Sequence, residues 1–270
     1  MNTYIEANQF GILVLPEETQ DEYKKRLHLA PSCPKEDLAE LETMYDIRPA
    51  SIDVTYSNER LSFFEAGCTW MQDDEQGKKA WIQLRKIFQY KDRYLFFYSK
   101  AEVLAHEYVH AIRYPLGSNK FEEFFAYYLS KNQSRLRAFL GPLFETSRDT
   151  YFFLLSFILP FCYSLIFSLT WMLPEWLGPL FFLLPVATTL YFTLRLLTRW
   201  RILYRCKNVL KQVVKGNPLH LMVRLTDEEI ELFAHKDAHG IINWIEKQKQ
   251  CSFRWQLLAA AYYEGKVGYA

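Results

Sequence analysis

Read for the spacing of its apolar and polar positions, the chain falls into three stretches of different character, at residues 1–149, 150–195 and 196–270. In the first, apolar residues recur at helix and strand spacings between charged ones. Residues 12–15 read as a strand, 17–29 as a charged helix, and 35–45 as a short helix after the punctuation of Pro31 and Pro34. Residues 52–56 and 61–66 are β-rich around Ser57-Asn58-Glu59 and predict a hairpin. Residues 77–90 predict an amphipathic helix, and 94–98 a short strand. Ser99 with Glu102 forms a capping-box pattern that starts the next helix, which Pro115, Gly117 and Ser118 stop. A further helix is expected over residues 120–140, with Asn119 and Glu122 as its cap pair and Gly141-Pro142 as its end. The first stretch therefore predicts an α+β soluble domain, mostly helical.

The middle stretch has no such alternation. Residues 151–173 and 177–194 are uncharged and rich in Phe, Leu and Ile, and only Pro174-Glu175-Trp176 separates them. Each run is long enough to span a bilayer, so the pair predicts an inserted two-helix transmembrane hairpin in which Pro160 and Pro185 act as kinks. A buried soluble hairpin is the competing reading. Arg135, Arg137 and Arg148 precede the pair, and Arg195, Arg199, Arg201, Arg205, Lys207, Lys211 and Lys215 follow it without an intervening acid. By the positive-inside rule both termini lie on the cytoplasmic side. Trp171, Trp176 and Trp200 sit where interfacial aromatics belong, and the basic stripe suits anionic lipid headgroups. In the third stretch Thr226-Asp227-Glu228-Glu229 caps a helix, and residues 241–249 and 253–263 read as two more. The expected organisation is thus a soluble domain over 1–149, the hairpin over 150–195, and a basic juxtamembrane helix with a helical C-terminal region over 196–270.

Candidate chemistry concentrates in His106-Glu107-Tyr108-Val109-His110, an HExxH sequence of the kind that binds zinc on a helix. His106 and His110 are four apart and share a face. Leu104, Ala105, Tyr108, Val109 and Ile112 form the apolar stripe on the other side, so the histidines point to a cleft or to solvent. Glu107 is placed to hold a water without ligating the metal. If the two helices fold back on each other at Leu116-Gly117, Glu123 comes beside His110. Two imidazoles and one carboxylate leave a fourth position for water, as in a catalytic rather than a structural zinc site.

His106-Glu107-x-x-His110 together with Glu123-Phe124-Phe125-Ala126 resembles gluzincin-type zinc metallopeptidases, and the second motif looks like the ligand helix of lethal-factor-type peptidases. The resemblance covers about 30 residues, and its His110-to-Glu123 interval is shorter than most gluzincins use. It implies a zincin-like domain with one Zn²⁺ on His106, His110 and Glu123, and Glu107 as general base. The implied substrate is a cytosolic or membrane-proximal polypeptide. Glu231, in Glu231-Leu232-Phe233-Ala234, is the alternative third ligand, and His235 and His239 form a second i, i+4 pair that lacks an intervening Glu. Tyr114, Tyr127, Tyr128, His235 and His239 are candidates for stabilising the oxyanion. The competing function is a membrane-anchored scaffold whose HExxH is inactive.

Composition adjusts this picture only slightly. The net charge is +1, so nothing points to nucleic acid as a partner. Cys33, Cys68, Cys162, Cys206 and Cys251 are scattered and odd in number, which fits reduced thiols rather than a disulfide framework or a thiolate cluster. Residues 1–10 lack the basic and apolar regions of a secretory signal. Oligomeric state and substrate identity have no signature in the chain.

Overall fold

The computed structural model describes residues 1–27, 38–48, 52–63, 65–74, 77–95, 98–117, 120–132, 134–170 and 177–263. Three short helices open the chain: α1 (Asn2–Gln9), α2 (Gln20–Leu27) and α3 (Ala39–Tyr45). Next come β1 (Asp53–Tyr56), β2 (Gly67–Asp74) and β3 (Gly77–Leu84), then the two-residue strands β4 (Arg93–Tyr94) and β5 (Tyr98–Ser99). Helices α4 (Lys100–Arg113), α5 (Glu122–Tyr128) and α6 (Arg135–Leu140) lead to the long pair α7 (Ser147–Thr170) and α8 (Leu177–Leu210). Helices α9 (Pro218–Met222), α10 (Asp227–His235), α11 (Ala238–Cys251) and α12 (Phe253–Tyr262) finish the chain. The described residues are mostly helical, 68%, with few strands.

The sheet departs from the sequence expectation in instructive ways. Residues 77–84 are a strand, not a helix: β3 is central, parallel to β1 and antiparallel to β2, in the order β1-β3-β2. Trp81, Leu84 and Phe88 mimic a helical stripe, but Ile82 and Leu84 are both fully buried, two apart, which is strand periodicity. Residues 61–66 form no strand, and the second strand begins one residue later, at Gly67. Its partner is β3, so the expected hairpin of 52–56 with 61–66 does not exist. Residues 12–15 are extended without pairing. The strand expected over 94–98 is the small β4–β5 hairpin, and the helix expected over 120–140 is broken into α5, a 3₁₀ turn and α6. Residues 31–34, Cys33, Asn119 and the 171–176 connection with Trp171 and Trp176 lie outside the described residues.

Residues from both sides of α7 and α8 share one core, which runs from Leu13 through α4 and α5 to Tyr263. Three buried guanidinium groups stitch it together. Arg113, at the end of α4, donates to the carbonyls of Val223 and Leu225 at 2.6 and 3.2 Å. Arg224 donates to the carbonyls of Tyr45 and Asp46 at 2.7 and 2.9 Å. Arg254 holds both carboxylate oxygens of Glu229, at 2.6 and 2.7 Å, and Glu229 also accepts the Trp255 indole N–H at 2.9 Å. The expected cap at Thr226 is present as a full capping box, with Glu229 as its carboxylate.

The paired helices α7 and α8 look quite different. Arg148–Ser168 and Gly178–Leu210 are long and apolar enough to cross a membrane, and only 17% of each apolar window is buried. Phe152, Phe161, Leu183, Val186 and Leu190 stand exposed. A core helix of a soluble protein hides such residues, so the soluble-hairpin reading loses its basis. The two helices meet through small and aromatic groups. The hydroxyls of Ser156 and Thr188 are 2.8 Å apart, and the rings of Tyr163 and Phe181 stack at 4.9 Å. Helix α8 continues for 34 residues, roughly 50 Å at the α-helical rise, and its last turns enter the core through Leu203, Cys206 and Leu210. Arg195 pairs with Asp149 at 2.7 Å, and Arg199 pairs with Glu145 and donates to the Lys120 carbonyl. Part of the basic stripe therefore serves the protein itself, while Arg201, Arg205, Lys211 and Lys215 remain exposed.

Candidate metal centre

Helix α4 carries the site. Ser99 caps it by accepting the Glu102 N–H at 3.2 Å, but the return half of the expected capping box is missing. The Glu102 carboxylate takes the Ser130 hydroxyl and the Arg137 guanidinium instead, the latter at 2.9 Å, and so ties α4 to α6. Leu104, Ala105, Tyr108, Val109 and Ile112 are all buried as the wheel predicts. Gly117, at φ +67°, adopts the left-handed turn that reverses the chain after α4, and α5 packs back onto α4.

That reversal brings Glu123 to the two histidines. The Nε2 atoms of His106 and His110 are 3.2 Å apart. Glu123 Oε2 is 3.6 Å from His106 Nε2, and Glu123 Oε1 is 3.5 Å from His110 Nε2. With zinc bonds of 2.0–2.1 Å, a tetrahedral site separates its ligand atoms by about 3.3 Å. The two imidazole nitrogens stand at about that spacing, and the Glu123 carboxylate presents one oxygen to each of them at a slightly longer distance. All three side chains remain reachable, with 19%, 14% and 21% of their surface exposed for His106, His110 and Glu123. Among the described residues, this is the group whose donor atoms converge tightly enough to hold a metal ion.

Two further groups stand beside His110 and Glu107, and neither stood out in the sequence for such a place. Glu122 Oε1 lies 3.6 Å from His110 Nδ1, the second-nitrogen position at which carboxylates commonly orient metal-binding imidazoles. Glu122 is adjacent to Glu123, so the acidic pair was the available signal. Thr69, on β2, places its hydroxyl 2.9 Å from Glu107 Oε2 and 2.8 Å from the Glu107 carbonyl. Nothing marked it, because the strand that carries it was not expected. Glu107 itself is buried.

The electrostatics of the cluster follow from burial and crowding. Burial and the neighbouring charges of His110 and Arg137 hold the His106 imidazole well below its usual range. Burial acts the same way on His110, but the carboxylates of Glu122, Glu123 and Glu107 outweigh it and raise that imidazole to about 9. Burial raises the Glu123 carboxyl to about 7 and moves Glu107 upward too, against the opposing pull of His110 and Thr69.

The cluster opens into a cleft of about 440 Å³ whose walls include the start of β2, Tyr98, Tyr127 and Arg137. Strand β2 is an edge of its sheet. Tyr127 packs edge-on against His106 with ring centres 4.6 Å apart. It fits because residue 141 is glycine: a Cβ there would meet the Tyr127 ring at 2.3 Å. Of the five oxyanion candidates only Tyr127 lines this cleft. Tyr128 accepts from Lys207 at 2.9 Å, and His235 Nδ1 sits 2.7 Å from the Glu231 carbonyl. The alternative ligand Glu231 is paired with Lys120 and is not part of the cluster. Cys68 lines the cleft as a free thiol, as Cys162, Cys206 and Cys251 are free elsewhere. Comparison of the chain with protein-family models, with curated proteins and with solved structures returns no match.

Proposed function

We propose that the protein is a membrane-anchored zinc metallopeptidase of gluzincin type, with His106, His110 and Glu123 as ligands and Glu107 as general base. The observation that carries this reading is the convergence of two imidazole nitrogens 3.2 Å apart with a carboxylate whose oxygens lie 3.6 Å from the first and 3.5 Å from the second. Two neutral-nitrogen donors and a carboxylate are the donor set of a catalytic zinc site with an open position. A bound zinc ion supplies Lewis acidity there, activating water and polarising a peptide carbonyl.

The chain's own residues do the rest. Glu107 takes a proton from the attacking water and returns it to the leaving amine, a task helped by a carboxyl whose affinity for protons is raised. Thr69 fixes the orientation of that carboxylate, and Glu122 that of His110. Tyr127 is the candidate donor to the developing oxyanion. The open edge of β2 along the cleft suits an extended polypeptide, which can add to a strand through main-chain hydrogen bonds. A zincin-like assignment of the domain is supported by the HExxH helix packed beneath this sheet. In the same reading α7 and α8 cross the bilayer, with both termini and the cleft on the cytoplasmic side.

The test is hydrolysis of an unstructured polypeptide by the purified full-length protein loaded with zinc. Replacing Glu107 with Gln should leave zinc bound and lower turnover by at least about 100-fold. Retention of full activity by Glu107→Gln would overturn the assignment.

A further inference from the structure

A second cleft, of about 370 Å³, lies on the other side of α5 from the metal cluster, between α5, α6 and the last turns of α8. Its volume is that of a ligand site. Its walls are chiefly aromatic, with Phe124, Tyr128 and Trp200 in mutual contact; the ring centres lie 5.1 Å from Phe124 to Trp200 and 6.4 Å from Tyr128 to Trp200. Its polar lining contains the cations Arg135, Lys207 and Lys211 and no carboxylate. Arg135 and Lys211 are exposed.

The cleft has a direction. Trp200 and Phe139, stacked at 5.8 Å, stand at the end nearest the apolar run of α8, which closes at Arg195. Lys207 comes two turns further along the same helix, about 10 Å on by helical rise, and Lys211 follows directly after the helix ends at Leu210. Beside Phe139, the neighbouring α6 residues Leu136 and Leu140 are also exposed, giving an apolar i, i+3, i+4 face next to the long helices. Among the residues that line the cleft, the aromatic pair therefore stands nearer the apolar run and the two lysines further from it. This is the polarity of a lipid in the adjoining leaflet, and no acid opposes an anionic headgroup.

We propose that this cleft is a binding site for an anionic phospholipid. The proximal acyl segment lies against Trp200 and Phe139, and the phosphate is held by Arg135, Lys207 and Lys211. The site rests on the reading of α7 and α8 as membrane-spanning, and it is independent of the metallopeptidase chemistry.

The experiment is native mass spectrometry of the full chain in detergent, titrated with phosphatidylserine or phosphatidylcholine of matched chains. The wild type should bind phosphatidylserine at least about 10-fold more tightly, since each cation near a lipid surface contributes about five-fold. Arg135→Ala with Lys211→Ala, two exposed positions, should remove most of that preference while leaving the helical circular dichroism signal unchanged. Asn208→Trp, which fills the cleft without removing a cation, should lower binding of the bound phospholipid as well. Equal binding of both lipids by the wild type, or an unchanged preference in the double variant, overturns the site. Displacement of the lipid by millimolar inorganic phosphate would assign the cations to free phosphate and overturns it too. A chain that stays soluble and monodisperse without detergent would contradict the membrane reading itself.

Discussion

At the scale of single residues, the proposed metal site would depend on the side chains that stand behind His110 and Glu107. Glu122→Gln removes the charge beside His110 Nδ1 and should weaken zinc binding by about 10- to 100-fold, read by competition with a chelating dye. Thr69→Val should leave zinc affinity intact and lower turnover, because the partner is lost by Glu107, at its carboxylate and its carbonyl, and by none of the three proposed ligands. A split between these two variants, one in affinity and one in rate, separates their roles. The surrounding carboxylates raise the His110 imidazole to about 9, and in the proposed site a nitrogen that ligates zinc gives up its proton. Zinc binding at neutral pH should therefore release protons, measured by calorimetry in buffers of different ionisation enthalpy.

The clustering of His106, His110 and Glu123 was legible because it is written in spacing on one helix and one turn. Thr69 was not legible, because its role needs β2 to lie against α4, a contact between residues 38 positions apart. Glu102 shows the converse failure. Its spacing from Ser99 reads as a local cap, yet the tertiary partners Ser130 and Arg137 compete for the carboxylate and win it.

Among the elements, helix starts and stops were read well where a short polar signal sets them, as at Ser99, Gly117 and Thr226. The sheet was read poorly, because a two-residue period and a helical one share positions over so short a run as 77–84. The site also depends on a tight approach between elements. Gly141→Ala would place its Cβ 2.3 Å from Tyr127. The strain should cost about 1–3 kcal/mol of stability and displace the ring that rests on His106. Thermal unfolding and zinc affinity report the two effects. The C-terminal helices are held through Glu229. Burial alone would raise its carboxyl, but the Arg254 guanidinium, the Thr226 N–H and the Trp255 indole bring it below the usual range. Its folded value is thus depressed relative to the unfolded chain. The stability it contributes is present above the unfolded carboxylate range and is lost as pH falls through the folded value. Replacing Arg254 with Met should flatten that acid limb of the stability curve.

For the molecule as a whole, α8 joins two environments in one continuous helix. Its apolar part lies exposed beside α7, and its distal turns are buried against α10, in the core that also supports α4. Ion pairs of Arg195 with Asp149 and of Arg199 with Glu145 clamp the base of the helix pair. Glu145 and Thr150 also line the metal cleft. The cleft therefore stands at the foot of the long helices. That residues before and after the hairpin share one core is not visible in the charge pattern, which reports solvent exposure and not which faces meet. Exposed Phe and Leu along both helices should make extraction from cells require detergent.

The central claim is the ligand set, and zinc stoichiometry tests it most directly. Metal content by mass spectrometry of the purified full-length chain should give one zinc per chain. His106→Ala, His110→Ala and Glu123→Ala should each reduce it to a small fraction of that value, while Glu231→Ala, whose carboxylate pairs with Lys120, should leave it at one. Absence of zinc from the intact protein after incubation with the metal, or loss of zinc from Glu231→Ala with retention in Glu123→Ala, would contradict the account.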